Sequence, residues 1–537
     1  MRLEPIAQRN QTELRCRHQL RVTGVVQGVG FRPFVYGLAT RLGLTGFVGN
    51  DSAGVFIELE GAPATLDEFH QSLVTAPPPL AHLDEVTTTV IPATGAQDFV
   101  IIESHAHNAQ RTFISPDFAI CDDCLRELFD PQDRRYRYPF FNCNNCGARF
   151  TIIRNLPYDR PLITMADFVL CPACHDEYKN PLDRRFHAQP VACPVCGPQL
   201  TFVASGEWRV AGGESPNEFP QDNTQPELRI TNYELRNTQH ATRNTSEAAL
   251  QAAQAMLQAG NIVAVKGLGG FHLACDATND LAVQTLRQRK GRVDKPFAVM
   301  ARDVAMAHQL AHINAEELAL LTSRERPIVL LRKREESPLS PFIAPGNHYI
   351  GLMLPYTPLH YLLFSQAEDD TNDELGIANY AGALWARHSP LATRHSPLTS
   401  LVMTSGNYSN EPIVKDNDEA LSKLGELADG FLLHNRDIYI QCDDSVIRVF
   451  EGHELPIRRS RGYAPFPVRL PRKVQPTLGV GGELKNTFCL AAGHAALMSQ
   501  HIGDMETLET LQAFTQAVTH FQTIFDIQPA IVACDLH

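Results

Sequence analysis

Along the chain, apolar and polar positions change their period several times, and each change marks a unit. Residues 18–26 (HQLRVTGVV) alternate like a strand, and residues 33–43 (PFVYGLATRLG) have helical spacing. Alternation returns at 45–50 (TGFVGN) and 54–61 (GVFIELEG). TAPPPLAH then interrupts regular structure and DFVIIES reads as a closing strand, which predicts a small α/β unit over 18–105. Strand-like runs recur as NIVAVKG, FAVMA, RPIVLLR and LVMTSG, predicting a larger α/β unit over 248–465. A last unit starts near 475. TLGVGGELKNTFCLAAG is patterned as a hairpin, LETLQAFTQAVTHFQTIF as a helix and PAIVACDLH as an apolar strand. A domain spanning only 475–537 would hold a half-built sheet, so this unit is expected to be truncated. The fold class is multidomain α/β with α+β parts.

Two stretches lack such patterning. Residues 204–247 are rich in Asn, Thr, Gln, Glu and Pro and contain the degenerate repeat LRITNYELRNT, which reads as a flexible linker. Residues 367–399 carry a tandem repeat, Arg387-His388-Ser389-Pro390-Leu391 and Arg394-His395-Ser396-Pro397-Leu398. Loops accept added length at small entropic cost, so this stretch is read as an insertion into a surface loop of the larger unit and not as a histidine metal site.

Between the two α/β units, residues 115–203 hold eight of the 13 cysteines in four CxxC pairs. Cys121 and Cys124 recur as Cys171 and Cys174, and Cys143 and Cys146 as Cys193 and Cys196, each shifted by 50 positions. Asp130-Pro131-Gln132-Asp133-Arg134-Arg135-Tyr136 is echoed by Asn180-Pro181-Leu182-Asp183-Arg184-Arg185-Phe186, the mark of a duplicated module. Eight thiolates suit two tetrahedral zinc ions, and a filled four-thiolate shell makes both sites structural. Sequential pairing (Cys121, Cys124, Cys143 and Cys146 on one ion) and crossed pairing between the repeats are both open. His175 and His187 lie nearby, with no ligand position left for them. Cys16, Cys275, Cys442, Cys489 and Cys534 are isolated and read as small core residues.

Composition narrows the class. A chain of 537 residues is too long for one core, and 44% hydrophobic with 20% charged residues is ordinary for a globular protein. A net charge of -13 speaks against a surface devoted to nucleic acid, while allowing a local basic pocket. No apolar run reaches the length of a membrane span, and the first residues, MRLEPIAQRNQTELRC, lack the apolar core of a secretory signal. A cytoplasmic protein with no membrane partner is expected.

Val26-Gln27-Gly28-Val29-Gly30-Phe31-Arg32 joins a strand to a helix. The two glycines let the N–H groups of residues 28–31 turn inward as an anion nest, and Arg32 adds a bidentate cation. With the following LGLTGFVGN, the string resembles the acylphosphatase signature. That resemblance implies a ferredoxin-like domain in which Arg32 binds the acyl phosphate, Gly28, Val29, Gly30 and Phe31 cradle it, and Asn50 orients the attacking water. Hydrolysis would proceed by positioning and charge neutralisation, without a covalent intermediate.

Lys266-Gly267-Leu268-Gly269-Gly270-Phe271-His272 follows a strand, but its lysine precedes the glycines, so it is not a Walker A loop. With Arg289-Lys290-Gly291-Arg292-Val293-Asp294-Lys295 and Thr404-Ser405-Gly406-Asn407, it resembles the YrdC family, which condenses a carbamate with ATP. The resemblance implies a substrate and nucleotide site containing Lys266, Lys290, Arg292, Lys295, Ser405 and Asn407. The family's TDTxYG loop is here GLGGFHL, a departure at Gly270 and His272, and His272 is placed in the site. Arg448 and Arg461 are assigned there as well, to neutralise a triphosphate whose Mg2+ a carboxylate would hold.

The order of these units, and the strings NCNNCG (142–147), FTII (150–153) and HNRDI (434–438), resemble the HypF family of hydrogenase-maturation carbamoyltransferases. LGVGGELKNT (478–487) resembles the start of that family's TsaD-like, actin-fold ATPase domain, whose metal-binding histidines would lie beyond His537. The resemblance implies hydrolysis of carbamoyl phosphate, ATP-dependent activation of carbamate to carbamoyl-adenylate, and transfer to the C-terminal cysteine of HypE. Two other functions are weighed against it. A threonylcarbamoyl-AMP synthase for tRNA modification starts from bicarbonate and threonine and has no use for an acylphosphatase unit. A zinc-finger nucleic-acid binder is disfavoured by the acidic balance and the lack of an aromatic-laced basic stripe.

Overall fold

The computed structural model describes residues 15–51, 54–102, 113–181, 183–204, 243–365 and 398–536. Nearly all of the expected insertion at 367–399 and of the expected linker at 204–247 lies outside the described residues.

The first unit builds a five-stranded sheet from β1 (Cys16–Val25), β2 (Thr45–Asp51), β3 (Gly54–Gly61), β4 (His82–Ile91) and β5 (Phe99–Ile101), in the order β4-β1-β3-β2-β5. Helices Phe31–Arg41 and Pro63–Thr75 complete a βαββαβ ferredoxin-like fold, with β5 added parallel to β2. The period-two alternation of β1 and β3 buries Leu20, Val22, Val55, Ile57 and Leu59 against Val35, Leu38, Phe69 and Leu73 of the helices. The sequence pattern had passed over Pro63–Thr75 and β4. The strand β4 lies at the sheet edge with mostly exposed residues, so burial left little mark on it.

The cysteine segment is two compact modules with one short helix each, Asp122–Phe129 and Pro172–Lys179. Its last residues are shared with the larger sheet. Leu200–Ala204 forms β6, which pairs antiparallel with β14 (Gly430–His434) and so belongs to the larger sheet. Phe202 reaches Gly430 there, where a Cβ would come within 2.6 Å of its ring. The helix Arg243–Gln258 packs on β6 and begins inside the expected linker.

The larger sheet adds β7 (Val263–Lys266), β8 (Phe271–Asp276), β9 (Ala298–Ala301), β10 (Ala311–His312), β11 (Ile328–Lys333), β12 (Tyr349–Met353), β13 (Ser400–Ser405), β15 (Val446–Phe450) and β16 (His453–Arg458). The order is β16-β15-β11-β12-β9-β13-β8-β7-β14-β6, with β10 beside β11. Both faces are covered. Val263, Val265, Ala274, Met300, Leu401 and Leu432 pack toward one core, while Ala264, Leu273, Val299, Val402 and Phe431 pack toward the other. Burial on both sides is why these strands read as unbroken apolar runs.

The last unit is a three-stranded sheet ordered β18-β17-β19, from β17 (Val468–Val480), β18 (Phe488–Met498) and β19 (Ile531–Ala533), with helix Leu508–Phe525. The hairpin and helix agree with the sequence pattern, although β17 starts before the expected boundary at 475. Phe521 meets Phe150 of the first cysteine module edge-on at 5.9 Å, within a core shared with the larger sheet.

Candidate functional site

The first candidate site is the loop between β1 and the helix Phe31–Arg41. Gly28 (φ 69°) and Gly30 (φ 73°) are both left-handed, and the residues between and after them are not, which is the alternation that forms an anion nest. Arg32 lies in the first helical turn and is almost buried. Asn50, near the end of β2, is buried, and its Oδ1 has no hydrogen-bond partner. Gly28, Gly30, Arg32 and Asn50 line one small cavity of about 20 Å³.

The same cavity is also lined by the cysteine segment, through Asn144, Arg149, Tyr158, His187 and Gln189. Asp159, next along the chain from Tyr158, accepts from Arg32 Nη2 at 3.0 Å. Burial, and then the Arg32 charge, push His187 down to about 4. Arg149 is a second cation at the cavity, but its guanidinium is spent on carbonyls of Gly28, Cys143, Asn144, Cys146 and Ala148. It ties the carbonyl of Gly28 to the first cysteine module.

The thiols fall into two groups, Cys121, Cys124, Cys143 and Cys146, and Cys171, Cys174, Cys193 and Cys196. Pairing is therefore sequential, and crossed pairing is excluded. Sulfur–sulfur separations of 3.6–3.8 Å match the edge of about 3.8 Å of a tetrahedron with metal–sulfur bonds of about 2.3 Å. The donor set and spacing thus fit a tetrahedral metal ion in each module.

The modules also exchange arginines. Arg134 donates to Cys174 Sγ at 3.0 Å, and with Arg135 it grips Glu177. Fifty positions on, Arg184 donates to Cys124 Sγ at 3.1 Å, and with Arg185 it grips Glu127. Burial opposes ionisation of Glu177, yet the hydrogen bonds from Arg135 and Arg134 bring its carboxyl down to about 2. The echo of Arg134-Arg135 in the sequence was visible, but its purpose was not, because each pair serves the other module.

In the larger unit Lys290 caps the helix Asp280–Arg289, and left-handed Gly291 turns the chain away from it. Lys290 Nζ donates to the carbonyl of Ser405 at 2.7 Å, to Asn407 Oδ1 at 2.8 Å and to the Asn407 carbonyl. Ser405 Oγ donates to the same Asn407 Oδ1 at 2.8 Å, and Arg292 Nη1 donates to Thr404 Oγ1 at 3.1 Å. Burial, then the neighbouring Arg292, lowers Lys290 to about 7, and burial, then Arg287 and Arg458, lowers Arg292 to about 10. Lys295 is lowered by burial and by Arg292 and Arg458. The structure thus gathers Lys290, Arg292, Lys295, Ser405 and Asn407 into one basic corner.

The other expected members stand apart. His272 lies across the ladder from Ser405, but its Nε2 is paired with Asp444 at 3.0 Å. Lys266 is buried on the far strand, donating to Asn417 Oδ1 at 2.8 Å and to the His434 carbonyl at 3.2 Å. Arg461 is fully committed, donating to Asp444 at 2.6 Å and to the carbonyls of Glu325 and Arg326, with its guanidinium 3.5 Å from the Tyr356 ring centre. Asp444, holding both Arg461 and His272, is not a free carboxylate for Mg2+. Arg448 is exposed and lies over Tyr349 at 5.1 Å, away from the corner. Arg458, in the same arginine-rich string as Arg461, is the one whose charge reaches Arg292 and Lys295.

Comparison with known proteins covers each unit. Residues 18–101 match the acylphosphatase family, and 120–153 and 170–203 the HypF finger family. Residues 255–460 match the Sua5–YciO–YrdC family, described as "Telomere recombination", and 472–537 the HypF Kae1-like domain family. The carbamoyltransferase HypF2 of Cupriavidus necator is 46% identical over 542 residues, covering 100% of this chain and 61% of that protein. The HypF of Rhizobium leguminosarum is 45% identical over 97% of this chain and 59% of its own length. A crystal structure of full-length HypF in its phosphate- and nucleotide-bound form superposes with a TM-score of 0.83 at 41% identity, over 98% of this chain and 61% of that one. The chain spans about three-fifths of the length of these relatives. With all four units matched in order and two of them to families named for HypF, the chain belongs to the HypF family.

Proposed function

We propose that this chain hydrolyses carbamoyl phosphate and activates the resulting carbamate with ATP, as steps toward carbamoyl transfer to the C-terminal cysteine of HypE. The observation that carries the reading is the cavity shared by the left-handed Gly28–Gly30 nest, Arg32 and the unpartnered Asn50 Oδ1. A phosphoryl group seated on the nest would have its charge met by Arg32. Asn50 Oδ1 would accept a hydrogen from a water and aim its oxygen at phosphorus. The phosphorus–oxygen bond to the carbamoyl group breaks, giving phosphate and carbamate. In the basic corner, a carbamate oxygen would attack the α-phosphorus of ATP and pyrophosphate would leave. Lys290, Arg292, Lys295 and Arg458 supply positive charge for the phosphates, and Mg2+ would be held chiefly by the phosphates themselves. The two cysteine groups would hold Zn2+ as structural ions, since all four ligand positions of each are protein sulfurs. No described helix is long and apolar enough to cross a membrane, and the reading is of a cytoplasmic enzyme with no nucleic-acid partner.

The test is product analysis with carbamoyl phosphate and ATP, with and without threonine. Phosphate release from carbamoyl phosphate, followed by pyrophosphate release that needs no threonine, is expected. Pyrophosphate release that requires bicarbonate and threonine would replace this reading with threonylcarbamoyl-AMP synthesis.

A further inference from the structure

A phosphoryl group seated on the nest, with water attacking from the Asn50 side, must direct its leaving group away from Asn50, opposite the attack. In this chain the cavity is lined, besides the nest, by the cysteine segment: Asn144 of the first module, Tyr158 of the loop that follows, and His187 and Gln189 of the second. Asn144 touches the nest, since a Cβ on Gly30 would lie 3.0 Å from the Asn144 Cβ. The Tyr158 ring stands 3.2 Å from a Cβ placed on Gly28. His187 lines the same cavity from a left-handed backbone position (φ 54°), one that a non-glycine residue adopts only at a cost in strain. Its ring is packed edge-on against Phe186 at 4.6 Å and tilted against Tyr178 at 5.0 Å. The carbonyl of His187 accepts from Gln189 Nε2 at 3.0 Å, and Gln189 Oε1 accepts from the Arg160 N–H and the Tyr178 hydroxyl. The wall is therefore braced from behind.

The duplication shows that this placement is particular to one copy. Fifty positions earlier the equivalent residue is Arg137, with the same φ of 54°. Arg137 instead grips Glu247 and Ser365 of the larger unit. One backbone position thus serves as a docking arm in the first module and as a cavity wall in the second.

We propose that the cysteine segment is the acyl-group wall of the phosphatase site, with His187 limiting the leaving group to carbamoyl-sized acids and Asp159 holding Arg32 until a phosphoryl group displaces it. This rests on the acylphosphatase reading above. A phosphoryl dianion and Asp159 compete for the same guanidinium. A planar acyl group of three heavy atoms beyond the bridging oxygen has far less to clear than an aromatic one.

The experiment compares kcat/KM for carbamoyl, acetyl and benzoyl phosphate in the whole chain. Wild type should favour acetyl over benzoyl phosphate by about tenfold or more, the size of discrimination a shape-limited pocket supplies. His187→Gly removes the ring at a φ that glycine adopts freely, and should raise the benzoyl-to-acetyl ratio by about fivefold or more. Asp159→Asn should lower KM for acetyl phosphate while changing kcat less. Equal use of benzoyl and acetyl phosphate by wild type, or a ratio that His187→Gly leaves in place, would overturn the wall. A raised KM in Asp159→Asn would overturn the role given to Asp159. Absence of hydrolysis of carbamoyl and acetyl phosphate alike would refute the acylphosphatase reading and the wall with it, an outcome distinct from an unchanged ratio.

Discussion

The phosphatase nest and the basic corner of the larger sheet both collect cations for anionic oxygens, but they are assembled over different distances. The nest, its arginine and the β2 asparagine come from one strand–loop–helix–strand stretch, Gly28 to Asn50, and backbone conformation alone aims most of the donors. The corner takes Lys290 and Arg292 from a helix end, Ser405 and Asn407 from the end of β13, and Arg458 from β16. Its side chains are held by hydrogen bonds among themselves, and burial lowers its lysine to about 7. A local site keeps its geometry with few outside contacts. A dispersed one depends on every element that brings its parts together. The cysteine modules lie between these extremes, since each is local in its ligands and dispersed in its arginines.

The sharpest way to separate the two sites is to remove one cation from each. Arg32→Ala should cut acyl phosphate hydrolysis by about 10³-fold or more, because among the described residues Arg149 is the other arginine at the cavity and is spent on carbonyls. Pyrophosphate release from ATP with supplied carbamate should persist in that variant, and Lys290→Ala should show the reverse. Loss of both activities in either variant would break the division. Asn50→Ala should slow phosphate release by about 10²–10³-fold with little change in KM, as measured by steady-state kinetics on acetyl phosphate.

The exchanged arginines give a smaller effect with a reversed address. Arg134→Ala should loosen metal at Cys171, Cys174, Cys193 and Cys196, and Arg184→Ala at Cys121, Cys124, Cys143 and Cys146, each by about 10–100-fold in affinity. Mass spectrometry of cysteine alkylation during chelation reads which module opens first. Opening of the arginine's own module would contradict the exchange.

The smallest expected effect is in the pH dependence of ATP binding. Lys290 sits near 7 in the free chain, and the triphosphate favours its charged form. Below about pH 6 the lysine is already charged and affinity should be flat. Above pH 7 binding must add a proton, and Kd should rise by up to about tenfold per pH unit. Lys290→Arg should remove that slope in calorimetric titrations, while the slope due to ATP's own ionisation remains in both.

The same contrast governs what the sequence made legible. Gly28, Gly30, Arg32 and Asn50 could be read because one contiguous string carries them, and the cysteine pairs could be read because their spacing is local. Sequential pairing of the cysteines could not be chosen over crossed pairing, since both satisfy the same spacing. In the larger unit Lys290, Arg292, Ser405 and Asn407 were recognised as motif fragments. Arg461 is expected at the phosphates; in the structure it donates to Asp444, while the charge of Arg458 reaches Arg292 and Lys295. Three arginines in a row of four residues look alike in a string, and only the pleat of β16 and the turn after it decide which faces the corner and which is swallowed beside Asp444. The pairing of β6 with β14 has no signal in the string, because a sequence displays chain order and not strand partners. The finger wall over the phosphatase cavity had no signal of its own, since Asp159 meets Arg32 across 127 positions.

The arginine exchange between the two cysteine modules is an isologous contact: position i of one copy meets position j of the other, and j meets i. Contacts of that symmetry close at two. Glu127 and Glu177 each already hold two guanidinium groups, so both docking carboxylates are consumed within the pair. A third copy would find both of these carboxylates already occupied. Head-to-tail repeats leave one face open at each end and grow into arrays. This tandem is self-terminating, a dimer written into one chain.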